Sequence, residues 1–455
     1  MNMNKKNYSE SGIRTASKLS GFCKSPDMKA LCFLLLILGV SCCFMFRDYL
    51  FGNELMIFND IGSDTWQQYI MNYTSIVNHL RNGNFSLWDF NNGLGINQFN
   101  FNLFDPFLML LYGAGVVLGP AHMLLYINVI QVLKILAAGA AFYWFLSQFS
   151  FSVLSKMITS YAYALNGFLL VWGQHYQFGM VVVYLPLILL FEEKFIRREK
   201  GCALFPVTVF LSGIYSVYLS YMTLIGAGFY LIFRLVMAAE DFKTGLRRFF
   251  SGCAQMVLGI GMSLGVFLPM AANIMNSSRV APARGGLWEF LKECFYPYKK
   301  ISYYESLLIR PFSTNLQNLQ TMGNSRYTGY NNYYEAPVLF CSTLAVIFLI
   351  QFLLLFWRSD AKRQVKAAVY TAAVLILACL IFPGGGIVFN AFTTPATNRY
   401  TYILIAVFLI VFAWMWDYLK AEGKISIVGL VITEVLMIRA YMAGYEDSIF
   451  REYRI

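Results

Sequence analysis

Apolar runs long enough to cross a hydrocarbon layer of roughly 30 Å recur from one end of this chain to the other. Inside such a layer no water reaches the backbone, so a crossing segment must satisfy its own N–H and C=O groups, which a helix does within one segment. Of the 455 residues, 58% are hydrophobic and only 13% charged, which excludes an ordinary soluble domain. The expected fold is an all-α polytopic membrane protein with a single membrane domain. The net charge of +11 is read as the cationic excess that fixes cytoplasmic loops, and not as a nucleic-acid surface.

Eleven spans are expected, near residues 30–46, 122–146, 157–172, 177–191, 203–216, 219–237, 252–275, 336–357, 367–383, 399–416 and 425–443. A further apolar run, Pro106 to Leu118, is tested by parity. Lys5, Lys6, Arg14, Lys18, Lys24 and Lys29 hold the N-terminus in the cytoplasm. Three later basic loops, around Lys194 to Lys200, Lys243 to Arg248 and Arg358 to Lys366, belong on the same side. They all fall there if Pro106–Leu118 does not cross, and all fall outside if it does. At 13 residues the run is also short for a span, so it is read as an interfacial or re-entrant helix. The expected layout is a basic tail over 1–29, a membrane domain over 30–443 and an external tail over 444–455. Two large external loops cover 47–121 and 276–335. The apolar run after the tail lacks a small-residue cleavage site and reads as a retained span. The nine cysteines contain no C-x-x-C pair and read as small apolar filler.

The polar, aromatic stretch Asn59 to Tyr69 follows the first span and makes a poor core and a poor linker. Its two carboxylates, Asp60 and Asp64, lie four residues apart. If Ser63 or Asp64 caps a helix beginning at Thr65, Asp64 sits at the positive end of that helix, which favours the charged form. A carboxylate facing a substrate hydroxyl can act as a general base; the alternative is that both aspartates cap and solvate a loop. Thr65 to Arg81 reads as an amphipathic helix, with Trp66, Tyr69, Ile70, Tyr73, Ile76, Val77 and Leu80 at spacings of three and four. Gln67 and Gln68 supply amides beside Asp64, and Trp88 opens a run of amides, glycines and rings that reads either as the kind that grips sugars or as plain turn structure. Asp105 precedes Pro106 as a helix cap and, with Gln67, Gln68, Trp88, His175, Arg399 and Tyr400, is a candidate substrate-binding residue. His175 lies in a tight turn between two short spans. Arg399, followed by Tyr400, stands at a membrane boundary where a guanidinium can hold a lipid phosphate or simply anchor its helix. Lys134 and Glu434 fall within spans, where charge is costly and often functional, and Arg234 is expected to snorkel to the nearby boundary. No H-E-x-x-H, P-loop, G-x-S-x-G or Rossmann fingerprint is present. No cofactor follows from these residues, and a divalent cation is left open.

The run Gly62-Ser63-Asp64-Thr65-Trp66-Gln67-Gln68-Tyr69 resembles the opening loop of the YfhO-like bacterial membrane proteins. The pattern continues in order through Trp88, Gly93-Leu94-Gly95, Asp105-Pro106-Phe107, Tyr163-Ala164-Leu165-Asn166-Gly167 and Pro395 to Tyr400. That family is similar to the GT-C glycosyltransferases, polytopic enzymes that draw sugar from a polyprenyl-phosphate donor on the outer face. The resemblance implies a GT-C-like fold, a lipid-linked sugar donor and a cell-envelope acceptor such as a teichoic acid. It also implies a catalytic base in the first external loop. By position that role falls on Asp64, with Asp60 second. Family members usually run longer, with more helices and an external domain. The resemblance therefore implies a minimal member, a truncated one, or a half that needs a membrane partner.

Two other readings compete. A transporter or lipid flippase would use paired intramembrane charges, for which Lys134 and Glu434 are the candidates. A non-catalytic envelope-assembly subunit would need no base at all.

Overall fold

The computed structural model describes residues 26–52, 54–57, 64–90, 94–98, 103–238, 241–276, 287–314, 320–321, 324–325, 329–330, 333–392 and 397–446. Among the described residues six helices are long and apolar enough to cross a membrane: Asp27–Met45, Pro120–Leu146, Val217–Met237, Phe242–Met275, Arg363–Ile381 and Thr401–Glu422. Each coincides with an expected span. Of the other five, the expected spans over 157–172, 177–191, 203–216 and 336–357 form shorter or interrupted helices, and the last forms the continuous helix Ile427–Glu446. Pro106–Leu118 is one continuous helix of 13 residues. Among the described residues the strands form two short antiparallel hairpins, Trp88–Asp89 with Ile96–Asn97 and Gln320–Thr321 with Asn324–Ser325.

The interruptions have local causes. The run expected over 157–172 is helical as Val153–Ala164, breaks, and resumes as Gly167–Val171. At the break the Asn166 side chain accepts from the Leu169 N–H at 2.9 Å and so caps a new helix instead of continuing the old one. Gly167 then donates its N–H to the Phe340 carbonyl at 2.7 Å. A Cβ on Gly167 would meet that carbonyl at 3.0 Å and Thr314 at 2.8 Å, so only glycine permits the approach. The partner segment, Ala336 to Cys341, is largely buried and non-helical, and the helix of the 336–357 run starts only at Thr343.

The segment after the first span builds a small core of its own. Thr65–Ile70 opens as a π-helical turn and continues as the α-helix Met71–Arg81. Tyr69, Ile70, Tyr73, Ile76 and Val77 are buried against Leu108, Leu111 and Tyr112 of the Pro106–Leu118 helix and against Met123, Ile127 and Ile130. The expected apolar face is thus the packed one, except for Trp66, which is half exposed. Gly115 lets the two helices touch: a Cβ there would lie 2.7 Å from Val77.

Intramembrane charges pair differently from expectation. Lys134 is fully buried and donates to the Tyr176 carbonyl, while Glu434 is exposed on the Ile427–Glu446 helix. The charge pair that a transporter reading needs is not formed. Arg234 does not snorkel freely. It binds the buried Glu193 carboxylate through two nitrogens at 2.6 and 2.8 Å, and Arg197 joins the same carboxylate at 2.6 Å.

Candidate functional site

The turn that follows the Gly167–Val171 helix carries Trp172, His175 and Phe178, and a short segment before the non-helical chain carries Tyr334 and Glu335. These come against the start of the Thr65–Ile70 turn and against Arg399. Asp64 lies at the head of the π-turn, but its carboxylate does not cap it. Instead one oxygen accepts from Gln68 Nε2 at 2.6 Å and the other lies 3.8 Å from His175 Nδ1. Gln68 is exposed on the π-turn and the next residue, Tyr69, is buried beneath it. Tyr69 Oη shares a hydrogen bond of 2.8 Å with His175 Nδ1. When Tyr69 donates, Nδ1 accepts and the ring proton sits on Nε2.

Aromatic rings enclose this polar line. The His175 ring lies 5.2 Å from Trp172, 5.4 Å from Phe178, 5.3 Å from Tyr334 and 5.8 Å from Tyr69. Arg399 packs against the same Trp172 ring. Its guanidinium carbon lies 5.4 Å from the Trp172 ring, 5.6 Å from Phe178 and 5.6 Å from Tyr218, within cation–π range. Arg399 Nε donates to Glu335 Oε1 at 2.9 Å, and Nη2 donates to the same oxygen. Asn398 donates to the Glu335 carbonyl at 2.8 Å and holds the segment in place. Asp64 keeps 30% of its side chain exposed and Arg399 29%, so both can be reached from outside.

Of the residues chosen from sequence, Asp64, Gln68, His175 and Arg399 come together. Asp60 lies outside the described residues. Gln67 is exposed on the π-turn. Trp88 is half exposed on its hairpin, its ring edge-on to Phe90 and packed over Gly95, whose φ of +111° and lack of a Cβ allow that approach. Two assignments are corrected. Asp105 does cap its helix, accepting from Leu108 N–H at 3.3 Å, but the side chain is wholly buried and its other oxygen takes the Tyr184 hydroxyl at 2.8 Å, so it is not presented to a substrate. Burial pushes its carboxyl up to about 6, with the nearby Lys134 charge and the Tyr184 bond pulling the other way. Tyr400 is also buried, stacked on Phe389 and donating to the Cys379 carbonyl at 2.8 Å. Next to Arg399 in sequence, it points into the bundle instead.

Lys134 and Asp105 underlie the site. Lys134 holds the carbonyl of Tyr176, the residue after His175, and the Tyr176 hydroxyl reaches the Met56 carbonyl at 2.5 Å. Sequence reasoning did not single out Glu335, Trp172, Phe178, Tyr218 or Tyr334 as site residues. A signal for Glu335 existed in part: a boundary arginine taken out of water needs an anionic neighbour. Nothing in the spacing says which carboxylate supplies it. Among the described residues no group of three or more His, Cys, Asp or Glu side chains gathers to hold a metal ion.

Fold and site together define a polytopic helical membrane protein in which a carboxylate, a histidine and a carboxylate-paired guanidinium meet around one aromatic cluster. The chain belongs to the family described as bacterial membrane protein YfhO, whose sequence pattern matches residues 32–453. Among curated proteins none matches it. Two solved structures are similar in shape, both oligosaccharyltransferases from Archaeoglobus fulgidus. One, in the apo form, has a TM-score of 0.46 and 15% identity. The other, AglB in complex with an inhibitory peptide and a dolichol-phosphate, has a TM-score of 0.45 and 16% identity. Each match covers 94% of this chain and 56% of the other, so the chain spans a little over half the length of these relatives.

Proposed function

We propose that this protein is a membrane glycosyltransferase that moves a sugar from a polyprenyl-phosphate donor to a cell-envelope acceptor on the outer face. The carrying observation is that Asp64 and Arg399 meet one aromatic cluster, Asp64 beside His175 and Arg399 over the adjoining Trp172 ring. Sugar transfer from a lipid phosphate needs both. Asp64 takes the proton from an acceptor hydroxyl as that oxygen attacks the anomeric carbon. The bond from that carbon to the phosphate oxygen breaks, and the leaving lipid phosphate carries the electron pair. Arg399 meets the charge that develops there, exchanging Glu335 for phosphate oxygens or sharing its five donors between them. The exposed amides of Gln67 and Gln68 and the ring of Trp88 are the sugar-facing groups. The GT-C-like architecture, the eleven-span topology and the teichoic-acid-like acceptor enter as part of this reading, which rests on the family resemblance. Comparing the mass of envelope polymers from cells with and without the protein tests it; identical glycosylation in both would end the proposal.

The reading places the N-terminus in the cytoplasm and the 47–121 and 276–335 loops outside. Cysteines introduced at Ser152 and Gly201 should then be blocked by membrane-impermeant thiol reagents only after the cells are opened. Labelling of either position in intact cells would reverse the orientation.

Arg399→Lys should weaken use of the donor while sparing expression. Lysine keeps the charge but cannot make two parallel hydrogen bonds to one phosphate. The expected loss is about tenfold or more in apparent donor affinity, on the order of 1.5 kcal/mol, the range of a charge-assisted hydrogen bond. Normal donor affinity in the lysine variant would make Arg399 a helix anchor instead.

A further inference from the structure

The Leu287–Phe295 helix presents an apolar face that no element among the described residues covers. At 100° per residue, Trp288, Leu291 and Phe295 share one stripe, and all three are exposed, Trp288 by 69% and Phe295 by 71%. Tyr296 and Ile301 extend the exposed apolar surface beyond the helix end. The packed side is elsewhere on the helix: Cys294 is buried, and its carbonyl sits so close to Gly384 that a Cβ there would lie 2.9 Å away. Glu289 and Glu293 occupy a third flank.

The position of this helix relative to the hydrocarbon follows from its anchors. Gly384 belongs to the Pro383–Phe389 helix, which directly follows the Arg363–Ile381 span. The neighbouring Ile301–Ile309 helix is tied to the same place: Tyr303 donates to the Leu380 carbonyl at 2.7 Å and Tyr304 to that of Ile381 at 3.3 Å. These are the last carbonyls of the span, which lie at the hydrocarbon boundary. The span itself leaves Val374, Leu375 and Leu377 exposed as a lipid-facing side. Around the apolar stripe sit cations. Lys292 Nζ lies 5.6 Å from the Trp288 ring, and Lys299 and Lys300 are exposed just beyond the helix.

We propose that Leu287–Phe295 is a surface-lying helix that binds anionic phospholipid, with Trp288, Leu291 and Phe295 sunk at headgroup depth and Lys292, Lys299 and Lys300 against lipid phosphates. Tryptophan favours that depth, and lysines beside an apolar stripe select anionic headgroups. A partner protein could also cover an apolar stripe. Continuity with the exposed end of a span, together with the ring of lysines, favours the bilayer. This inference is independent of the proposed sugar transfer.

The test uses the full-length protein in vesicles of phosphatidylcholine brominated on its acyl chains, with and without phosphatidylglycerol. The Trp288 emission is isolated by difference from Trp288→Phe. Bromolipid should quench it, and phosphatidylglycerol should deepen the quenching and shift the emission to the blue. The combined variant K292Q/K299Q/K300Q should lose the phosphatidylglycerol-dependent part and keep the quenching of the other tryptophans. If that variant does not assemble, K299Q/K300Q provides the same comparison. Quenching of Trp288 by aqueous iodide and not by bromolipid would overturn the proposal. So would shielding from both quenchers, the signature of a covering protein, and so would indifference of the wild-type signal to phosphatidylglycerol.

Discussion

Asp64→Asn is expected to lower sugar transfer by roughly 10²- to 10⁴-fold, the usual contribution of a general base, with the protein still folded and inserted. Asparagine matches the shape of aspartate and can still accept a hydrogen bond from Gln68, the partner that Asp64 Oδ1 holds at 2.6 Å. It cannot take a proton. Because the side chain is 30% exposed and does not cap its helix, little stability depends on its charge. The loss should therefore appear in kcat, with donor binding close to normal, since the phosphate is assigned to Arg399. The discriminating measurement is single-turnover transfer with donor saturating, run beside Asp60→Asn. A dead Asp60 variant and an active Asp64 variant would hand the role to Asp60.

Lys134→Met should cost about 3 kcal/mol of stability, because it removes one partner from a buried charged network. Lys134 and Asp105 are both wholly buried. Without the ammonium, the Tyr176 carbonyl loses its donor and Asp105 loses the charge that favours its ionised form. The apparent Tm in detergent should fall. The double variant Lys134→Met/Asp105→Asn should recover part of the loss, since the remaining side chain is no longer a stranded acid. A double variant no more stable than the sum of its parts would show that the two groups are not coupled. Turnover should fall with Lys134→Met as well, because Tyr176 follows His175 and the turn would lose its anchor.

Half of the site could be read from local spacing. Asp64 and Gln68 are four apart on one helical turn, so their contact needs nothing beyond that turn. Asp105 before Pro106 signals a cap, and the cap forms. Its burial does not follow from the motif, because burial depends on where Tyr184 and Lys134 arrive. Arg399 stands at a helix start where a boundary cation is expected, yet its carboxylate partner Glu335 is 64 residues away and no periodicity links them. Arg399 and Tyr400 sit side by side in the chain, but successive residues of a helical turn point about 100° apart. One therefore faces the aromatic cluster and the other the core.

Taken alone, the sequence determined that this chain is a helical membrane protein, because a segment in hydrocarbon must be apolar over its whole length and must satisfy its own backbone. It also determined the packed face of Thr65 to Arg81, since an amphipathic period of 3.6 allows one apolar side. Only the tertiary structure decided where the apolar runs break, as at Asn166, because a cap competes with helix continuation and packing settles the outcome. It alone decided that buried Lys134 meets the Tyr176 carbonyl and not Glu434. It alone brought Tyr69 to His175 across 106 residues, and Arg399 to Trp172. Contacts between distant segments depend on how whole helices pack, and no local pattern of residues carries that information.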